Sequence, residues 1–444
     1  MLKKYLEILC LFVLVFFFVN CSKNEDDAKE TIPFQPEIEF VKSFGGSKNE
    51  SAKAVVKTQD NGYAVFGYTQ SNDGDITNKS GGLFDYWLLK FDAANNLQWQ
   101  KTYGGSDDDR GTDIVQTSDG GFAVFGFSQS DDGDVTENAG ASDFWILKLD
   151  ASGAISWQKS YGFSGADDGI SIIETNDNGY LITGVLDVTA SGGLGNAKSA
   201  ARHAGGDYWG IKLAANGDVE WRKYFGGTNT DTCYGVVETT DGYLMIGSSD
   251  SNDIDIKNNK GSYDFWIVKI DKTGKLLFEK SFGGDEIDEA RAITATNDDG
   301  FIIIGDTRSS NKDVSQNNGG ADLWGIKINS EGNLLWEKTF GGSSFDVGRS
   351  VRKTNDNGFL ISGSSRSANN AFLNKGQNDA WILKIDGNGN QQWQKTIGGT
   401  EIDFCYDAVE LTSGNIIAVG ESSSNNQDIT INKGFTDLLI IKLK

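Results

Sequence analysis

The sequence predicts an all-β chain that closes into a ring of seven similar four-stranded units. The 444-residue chain restarts one pattern seven times, at intervals of 57 to 64 residues. The repeated part lacks proline, which would break the hydrogen-bond ladders of dense sheet. Beyond the first 20 residues, no stretch keeps a helical period of apolar side chains. The seven units start at Phe40, Trp99, Trp157, Trp221, Phe278, Trp336 and Trp393.

The chain begins with a segment typical of export signals. Lys3 and Lys4 are followed by an apolar stretch, residues 8–19, which is too short to span a bilayer as a helix. Cys21 and an acidic run come next, and together they resemble the signal of a surface-exported Bacteroidetes lipoprotein. The resemblance implies a signal peptide over residues 1–20, lipidation of Cys21, a flexible tether to residue 37, and an outward-facing outer-membrane anchor. An ordinary cleaved signal peptide is the alternative.

Each unit is predicted to contain four strands, and the second unit shows the pattern clearly. Residues 114–117 form a short strand, and Ser118-Asp119-Gly120-Gly121 is a tight turn, since Gly permits positive φ. Residues 122–125 form the next strand, and a long polar loop follows. Residues 143–150 are apolar on both faces, which predicts a strand buried between neighbours. The aromatic strand 157–161 completes a unit whose length suits one propeller blade.

The two ends of the repeated region are complementary. The region enters on an aromatic strand, residues 40–44, and ends on the third-strand pattern, residues 437–442. The last unit therefore lacks its fourth strand, while the first strand has no unit of its own. Pairing the N-terminal strand with the C-terminal blade would close a seven-bladed β-propeller of four-stranded blades over residues 38–444 and remove the free sheet edges.

The repeated motifs resemble those of a known group. W-x-K-x-[FY]-G-G, D-x-G-[YF] and D-x-W-[IL]-x-K-[LI]-D are similar to the seven-bladed propeller repeat of bacterial secreted and surface proteins. The resemblance implies the fold and leaves the function open. The Asp-x-x-Gly-x-x-x-Trp turn is also similar to quinoprotein propellers, which bind a quinone in an eight-bladed core. Because this chain has seven units and no matching cofactor residues, we expect no organic cofactor.

Composition and cysteine placement narrow the possible partners. The net charge of -23 favours solubility and should repel nucleic acid, so we expect no nucleic-acid partner. Cys233 and Cys405 occupy the same repeat position, three units apart. In a ring they would lie nearly opposite each other, so we expect no disulfide.

Several repeated residues are predicted to serve the fold. All eleven Trp fall in the third or fourth strands of units, where burial explains them without a ligand. The third strand also carries an Asp and a Lys five residues apart in all seven units. An active site is not normally copied seven times, so we interpret these pairs as structural.

A second acidic set lies ten residues after each unit start, where the innermost strand should begin, near the mouth of the central channel. Each carboxylate could accept backbone N–H bonds in its own loop, or the set could form an anionic rim that holds a cation. Asp-rich long loops, such as residues 71–75 and 130–134, also offer a partial Ca²⁺ ligand set, with plain polar turns as the alternative. The seven acids are Glu50, Asp109, Asp167, Asp231, Asp288, Asp346 and Asp403.

Departures from the repeat are the best pointers to a ligand, because symmetry does not require them. The third unit replaces Gly-Gly with Gly162-Phe163, and its long loop contains the only histidine, His203. Side chains near the start of the innermost strands also differ between units. A mixture of Tyr and Arg suits recognition. The predicted ligand-binding residues are Arg110, Phe163, His203, Tyr234, Arg291, Arg349 and Tyr406.

These observations favour a surface-anchored, non-catalytic propeller that binds a polysaccharide or a protein on the face carrying the long loops. A carbohydrate-active hydrolase or lyase is the first alternative, since two positioned carboxylates suffice for glycoside hydrolysis. Acids such as Asp231 or Asp288 would then serve it. A purely structural surface scaffold is the second alternative.

Overall fold

The computed structural model describes residues 35–79, 82–191, 205–369 and 372–444, which belong to one compact unit, Phe34–Lys444. These residues form 28 strands, arranged as seven four-stranded antiparallel sheets, and one short helix. The sheets are the seven blades of a β-propeller. The predicted fold class is therefore confirmed.

The strand bounds repeat regularly from blade to blade. An N-terminal strand, β1 (Ile38–Phe44), precedes blade 1. Blade 1 contains β2 (Glu50–Lys57), β3 (Tyr63–Thr69), β4 (Asp85–Phe91) and β5 (Leu97–Tyr103). Blade 2 contains β6 (Asp109–Gln116), β7 (Phe122–Ser128), β8 (Asp143–Leu149) and β9 (Ile155–Tyr161). Blade 3 contains β10 (Asp168–Glu174), β11 (Tyr180–Asp187), helix α1 (Val188–Ser191), β12 (Gly206–Leu213) and β13 (Val219–Phe225).

The second half of the ring follows the same order. Blade 4 contains β14 (Asp231–Thr239), β15 (Gly242–Ser249), β16 (Asp264–Asp271) and β17 (Leu276–Phe282). Blade 5 contains β18 (Asp288–Ala295), β19 (Phe301–Thr307), β20 (Asp322–Ile328) and β21 (Leu334–Phe340). Blade 6 contains β22 (Asp346–Lys353), β23 (Phe359–Ser365), β24 (Asp379–Ile385) and β25 (Gln391–Ile397). Blade 7 contains β26 (Asp403–Glu410), β27 (Ile416–Ser422) and β28 (Asp437–Leu443).

The two ends of the chain close the ring. Strand β1 pairs antiparallel with β28, so that Val41 lies opposite Ile441, and it becomes the outer strand of blade 7. Phe40 and Phe44 pack against the core shared with blade 1, and Val41 packs into the core on the other side. The predicted pairing of the N-terminal strand with the last blade is confirmed.

The core lies between the blades. Each of the seven described apolar clusters takes residues from adjacent blades, and the third strand of every blade is buried along almost its whole length. The six third-strand tryptophans are at most 1 % exposed. In blade 1 the Trp87 indole donates to Gln100 Oε1 on the fourth strand at 2.7 Å, and Trp145 in blade 2 donates in the same way to Gln158 at 2.9 Å. In five blades the tryptophan therefore links the third strand to the fourth, while Trp209 of blade 3 makes no such bond and blade 7 has Leu439 at this position.

In blades 1 to 6 the third-strand lysine pairs with an Asp of a tight turn, and in blade 7 Lys442 pairs instead with Glu39 of β1 at 3.1 Å. The Lys90 ammonium lies 2.8 Å from Asp60, in the turn between the first and second strands. Lys384 makes the same contact with Asp356 at 2.7 Å. These ion pairs hold adjacent parts of one blade, which fits the structural role expected from their repetition.

Blade 3 differs from the others in its long connection. Strand β11 continues to Asp187, and α1 adds one helical turn where no helix was expected. Asp187 explains the turn, since its Oδ1 accepts the Ala190 N–H at 3.0 Å and caps the helix start. No helix among the described residues is long and apolar enough to cross a bilayer.

Candidate functional site

The first strands of the seven blades surround a central channel. Each of these strands carries a β-bulge directly after a small residue, for example between Ala52 and Ala54 or between Gly348 and Ser350. A bulge leaves one residue unpaired and redirects its side chain. The channel half next to the long loops encloses a cavity of about 390 Å³, which all seven first strands line. We call this cavity the loop-side cavity.

The bulged residues give the loop-side cavity an asymmetric wall. Blades 2 and 3 contribute a threonine and an isoleucine, and the other five blades contribute a lysine, two arginines and two tyrosines. In blade order, these seven residues are Lys53, Thr112, Ile170, Tyr234, Arg291, Arg349 and Tyr406. The structure therefore brings together four of the seven predicted ligand-binding residues, Tyr234, Arg291, Arg349 and Tyr406.

One tyrosine–cation pair lies between blades 7 and 1. The Lys53 ammonium lies 3.5 Å from the centre of the Tyr406 ring, a cation–π contact. The Tyr406 hydroxyl donates to Glu421 Oε1 at 3.1 Å, and Glu421 Oε2 lies 3.7 Å from Lys53. Burial lowers the pKa of Lys53 to about 8, with Arg349 and Arg110 adding to the decrease while Glu421 opposes it. Lys53 therefore loses its proton more readily than an exposed lysine does.

A second tyrosine–cation pair lies between blades 4 and 5. The Arg291 guanidinium carbon is 4.4 Å from the centre of the Tyr234 ring. Arg291 Nη2 is 2.6 Å from Glu289 and its Nε is 3.7 Å from Asp306. Burial raises the pKa of Asp306, which Arg291 partly offsets. Two similar pairs therefore flank blade 6, which contributes Arg349.

The other predicted ligand-binding residues lie elsewhere. Arg110 is on the rim, 4.2 Å from the Phe84 ring centre and 2.9 Å from Asp108. Phe163 does not line the loop-side cavity. Its ring packs 5.8 Å from Trp209 and 5.7 Å from the Arg222 guanidinium, so it belongs to the blade core. His203 lies outside the described residues.

Four further residues complete the mouth and were not predicted. Lys53 occupies the same bulged position as Tyr234, so its offset from the strand start could have identified it. Tyr68, Asp306 and Glu421 come from second strands, where they lie next to the first strand's entry, opposite Ser51, Glu289 and Phe404. Their position depends on the cross-strand register, which the repeat pattern alone does not define.

An ion pair lies where the loop-side cavity meets the rest of the channel. Arg352 Nε and Nη2 donate to the two carboxylate oxygens of Asp407 at 3.1 and 2.9 Å. Asp407 Oδ2 also accepts the Val55 N–H of blade 1 at 3.1 Å. Arg352 lines both the loop-side cavity and a second cavity of about 470 Å³ toward the tight turns. The bidentate pair therefore narrows the channel between two compartments.

The seven repeated acids at the strand starts are not exposed to the channel. Each is 0 % exposed. Asp288 shows the arrangement: its Oδ2 accepts the Gly284 N–H at 2.7 Å and the Ser309 hydroxyl at 2.9 Å, and its Oδ1 accepts the Thr307 hydroxyl. Glu50 accepts the Gly46 N–H at 2.8 Å in the same way. The carboxylates thus accept N–H bonds in their own connections, which is the first of the two predicted arrangements, and their side chains point into the blade and do not form a rim on the channel.

A second carboxylate lies beside each repeated acid. Asp264, the third-strand Asp of the preceding blade, accepts the Lys260 N–H through Oδ2. Both Asp264 and Asp288 lie against Gly283, so the two carboxylates are close together. Burial raises the pKa of Asp264 to about 7, and the nearby Asp288 and Asp313 add to the increase. Burial likewise raises the pKa of Asp322 to about 6, with Asp346 adding to it. These close carboxyl pairs favour binding a proton.

The Asp-rich loops also serve the Gly-Gly connections. Asp73 Oδ1 accepts the Ser47 N–H at 2.8 Å, and Asp75 Oδ2 accepts the Gly45 N–H at 2.9 Å. Asp132 and Asp134 repeat both contacts in blade 2. In the part of the chain that the structure describes, no group of three or more acidic, His or Cys side chains is placed to hold a metal ion. These loops therefore act as polar turns that fasten neighbouring connections.

Comparisons with known proteins support the fold and no more. No protein-family model matches the chain, and no curated protein matches it. The WD40 domain of Neurospora crassa Pan2 is similar over 93 % of this chain and 97 % of its own, with a TM-score of 0.50 and 10 % identity. The β-propeller domain of the Trilobed protease from Pyrococcus furiosus, described as having an open velcro topology, covers 93 % of this chain and 96 % of its own, with a TM-score of 0.43 and 11 % identity. Likenesses at this identity show a propeller fold.

Proposed function

We propose that this chain is a surface-anchored, non-catalytic propeller that binds a partner on its long-loop face, at the mouth of the loop-side cavity. The observation that carries the proposal is the asymmetric wall of that cavity. Seven-fold repetition explains the tryptophans, the third-strand Asp and Lys residues and the buried acids. It does not require five blades to present Lys, Tyr or Arg at a bulge while two present Thr and Ile.

The acids support a binding role over hydrolysis. The repeated carboxylates are buried and occupied by N–H and hydroxyl donors, so they cannot reach a substrate. Of the two carboxylates that line the loop-side cavity, Asp407 pairs with Arg352, and Asp113 accepts the Ile172 N–H at 3.0 Å and the Ser171 hydroxyl at 3.1 Å. At the mouth, Glu421 pairs with Lys53 and Glu289 with Arg291. A hydrolase needs one carboxyl group to protonate the leaving group and another to act on the sugar or on water. The alternative of a carbohydrate-active enzyme therefore lacks an unengaged pair of carboxylates at the loop-side cavity.

A protein partner fits this face better than a polysaccharide. Sugars commonly stack on aromatic faces, but every tryptophan lies in a third or fourth strand. The long-loop face instead exposes separate apolar side chains, such as Phe345 at 41 % and Phe435 at 72 %, and the Arg366 N–H donates to the Phe345 carbonyl oxygen. Aromatic residues and arginine are enriched in the energetically important parts of protein interfaces. The retention assay below also tests whether a polysaccharide binds.

The anchor rests on the N-terminal residues, which lie outside the described part of the chain. We propose that Cys21 is lipidated and holds the propeller at the outer-membrane surface, with the membrane as its second partner. Replacing Cys21 with Ser should move the protein from the membrane fraction to the soluble fraction and abolish incorporation of labelled palmitate. Unchanged fractionation and labelling would exclude this anchor.

A retention assay tests the binding role. The protein is immobilised and exposed to a panel of polysaccharides and a display library of random peptides, and both retention and product release are measured. A double variant, Tyr234→Ala with Tyr406→Ala, should lose the retained ligand. The matched control, Gln116→Ala with Glu174→Ala, alters the cavity at the opposite end of the channel and should keep it. Equal loss in both variants, or no retention of any probe, contradicts the proposed site, and product release would favour the enzyme.

A further inference from the structure

Blade 6 contributes two arginines at the mouth of the channel that form no ion pair with any described residue. Its first strand contributes Arg349 at the bulge, and Arg366 follows its second strand. The neighbouring positions in the same blade are neutral, Val347 opposite Ser364. Arg366 is held by a hydrogen bond from its Nε to Asn378 at 2.9 Å, not by an acid. Asp306 of blade 5 lies within electrostatic range of Arg349: burial raises the pKa of Asp306, and Arg291 and Arg349 oppose the increase.

Arg349 differs from the other cations of the channel. Lys53 pairs with Glu421 at 3.7 Å, and Arg291 pairs with Glu289 at 2.6 Å. Arg110 and Arg352 pair with Asp108 and Asp407, both at 2.9 Å. Arg349 makes no ion pair or hydrogen bond with any residue in the described ranges, although it is half-buried in the cavity wall. A half-buried guanidinium without a protein acceptor leaves its five N–H donors to water or to a bound ligand.

The surroundings of Arg349 define what could bind there. Tyr406 and Lys53 lie on one side, and Arg291 with Tyr234 lies on the other. The cavity of about 390 Å³ admits one side chain or a chain end, not a folded element. A planar guanidinium forms two parallel hydrogen bonds with a carboxylate, which makes this group the best match for a single free arginine. Phe345, exposed at the rim of the same blade, offers an apolar contact for the segment that carries the carboxylate.

We propose that Arg349 binds a carboxylate of a protein partner, supplied by an Asp or Glu side chain or by a C-terminus that enters the loop-side cavity. This inference rests on the proposed binding function and specifies its anchoring group. The rest of the acidic body repels anions, so the charge complementarity is confined to the blade 6 sector. Lys53 and Arg291 line the same cavity and add positive charge to its wall.

Fluorescent poly-L-glutamate is the probe, with poly-L-glutamine as its uncharged counterpart and an oligogalacturonate as the polysaccharide carboxylate. At physiological salt and pH 7, poly-L-glutamate should bind while poly-L-glutamine does not. Arg349→Gln should weaken binding by about tenfold or more, as expected for a lost charge-assisted bond. Arg222→Gln removes the same charge from the exposed outer strand of blade 3 and should change the affinity by less than about twofold.

Three results would overturn the inference: no binding of poly-L-glutamate, equal weakening by Arg349→Gln and Arg222→Gln, or binding of the oligogalacturonate in preference to the peptide. The retention assay separates this failure from failure of the binding function. If the Tyr234/Tyr406 variant loses a retained ligand that Arg349→Gln still binds, the carboxylate assignment is wrong and the binding site stands. If neither variant affects retention, both are wrong.

Discussion

At the scale of single residues, the repeated acids show how one residue type can be copied for the fold. The carboxylate at the start of each first strand accepts the N–H of the second residue in the Gly-Gly connection, from Gly46 in blade 1 to Gly399 in blade 7. In most blades, Ser or Thr hydroxyls of the second strand and the following loop complete the set. Removing such an acid would leave several buried donors without an acceptor.

Asp288→Ala should therefore destabilise the protein strongly. It leaves the Gly284 N–H and the hydroxyls of Thr307 and Ser309 without their acceptor, and we expect a loss of about 2–5 kcal/mol in the free energy of unfolding. Urea unfolding followed by tryptophan fluorescence measures this loss. The control is Asp285→Ala in the same connection, an exposed acid paired with Lys312, which should cost less than about 1 kcal/mol. Similar losses in the two variants would refute the structural role.

The close carboxyl pairs predict that stability decreases from mildly acidic to neutral pH. Burial raises the pKa of Asp167, Asp231 and Asp264 to about 7, above their value of 3.8 in the unfolded chain. The folded state thus binds more protons between about pH 4 and 7, and its stability falls as the pH rises through this window. The melting temperature should be higher at pH 5 than at pH 8. A higher melting temperature at pH 8 would contradict the pairing.

Carboxylates in the tight turns should make the protein less stable again below about pH 4. Ion pairing and hydrogen bonding lower the pKa of Asp60 and Asp356 to about 2, although burial opposes the decrease. The stability that these groups contribute is complete above about pH 4 and is lost as the pH falls toward 2. Asp264→Asn, which mimics a protonated carboxyl, should reduce the difference between pH 5 and pH 8 without changing the loss below pH 4.

The candidate site was predictable in part at this scale. Four residues chosen because they break the repeat, among them Arg349 and Tyr406, line one cavity. Phe163 also breaks the repeat, yet it packs in the blade core, since a departure can serve packing as well as binding. The bulge in each first strand determines which side chains point inward, and in the sequence only the small residue before it marks its position. Glu421 and Asp306 reach the mouth through the same cross-strand register.

At the scale of elements, strand β1 is the part of the fold on which closure depends. It covers β28, whose seven residues from Asp437 to Leu443 are all buried. Without β1, blade 7 would have three strands and an open, apolar edge. Open apolar edges pair with other chains.

Deleting residues 35–44 should therefore lower the melting temperature and produce aggregates in size-exclusion chromatography. The loss of the Phe40, Val41 and Phe44 contacts is expected to cost on the order of several kcal/mol. A chain that begins at Phe34 and keeps β1 is the control and should remain monomeric. A monomeric deletion variant with an unchanged melting temperature would show that β1 does not close the ring.

Element order could be predicted from sequence because each strand is marked twice, by its apolar pattern and by the turn that follows. Strand β8, for example, lies between a polar loop and the Asp150–Gly153 turn. Helix α1 was missed because one turn of four residues is too short to show a period. The helix start depends on one capping residue, Asp187, and nothing in the sequence distinguishes this Asp from the many other acidic residues in loops.

At the scale of the whole molecule, the repeats specify the fold and leave the function to the residues that vary. Ring closure could be predicted because the last unit lacks a fourth strand and the N-terminal strand has no unit of its own. Pairing the two completes the last blade. The ligand could not be predicted in the same way, since net charge and repeated motifs describe all blades together. The asymmetric channel wall appears only when the seven first strands are placed around one axis.

The whole-molecule stability should not depend on Ca²⁺. The Asp oxygens of the long loops are used by backbone N–H groups, as Asp73 and Asp75 show. Removing a metal ion that binds only the folded state would lower the melting temperature. We therefore expect EDTA to leave the melting temperature unchanged to within about 1 °C. A clear decrease in EDTA, restored by added Ca²⁺, would show a structural metal site.

Blocking one end of the channel tests the proposed binding site most directly. In the chain from Phe34 onward, the native thiols Cys233 and Cys405 are buried and burial raises their pKa to about 12, so neither should react with a maleimide. A single cysteine can then be introduced at the loop-side mouth, Val347→Cys, or at the opposite mouth, Gln116→Cys, and labelled with a bulky maleimide. We expect the Val347 label to abolish retention of the peptide or polymer bound in the panel, and the Gln116 label to leave it intact. Retention despite the label at Val347, or loss with the label at Gln116, would contradict binding at the loop-side cavity.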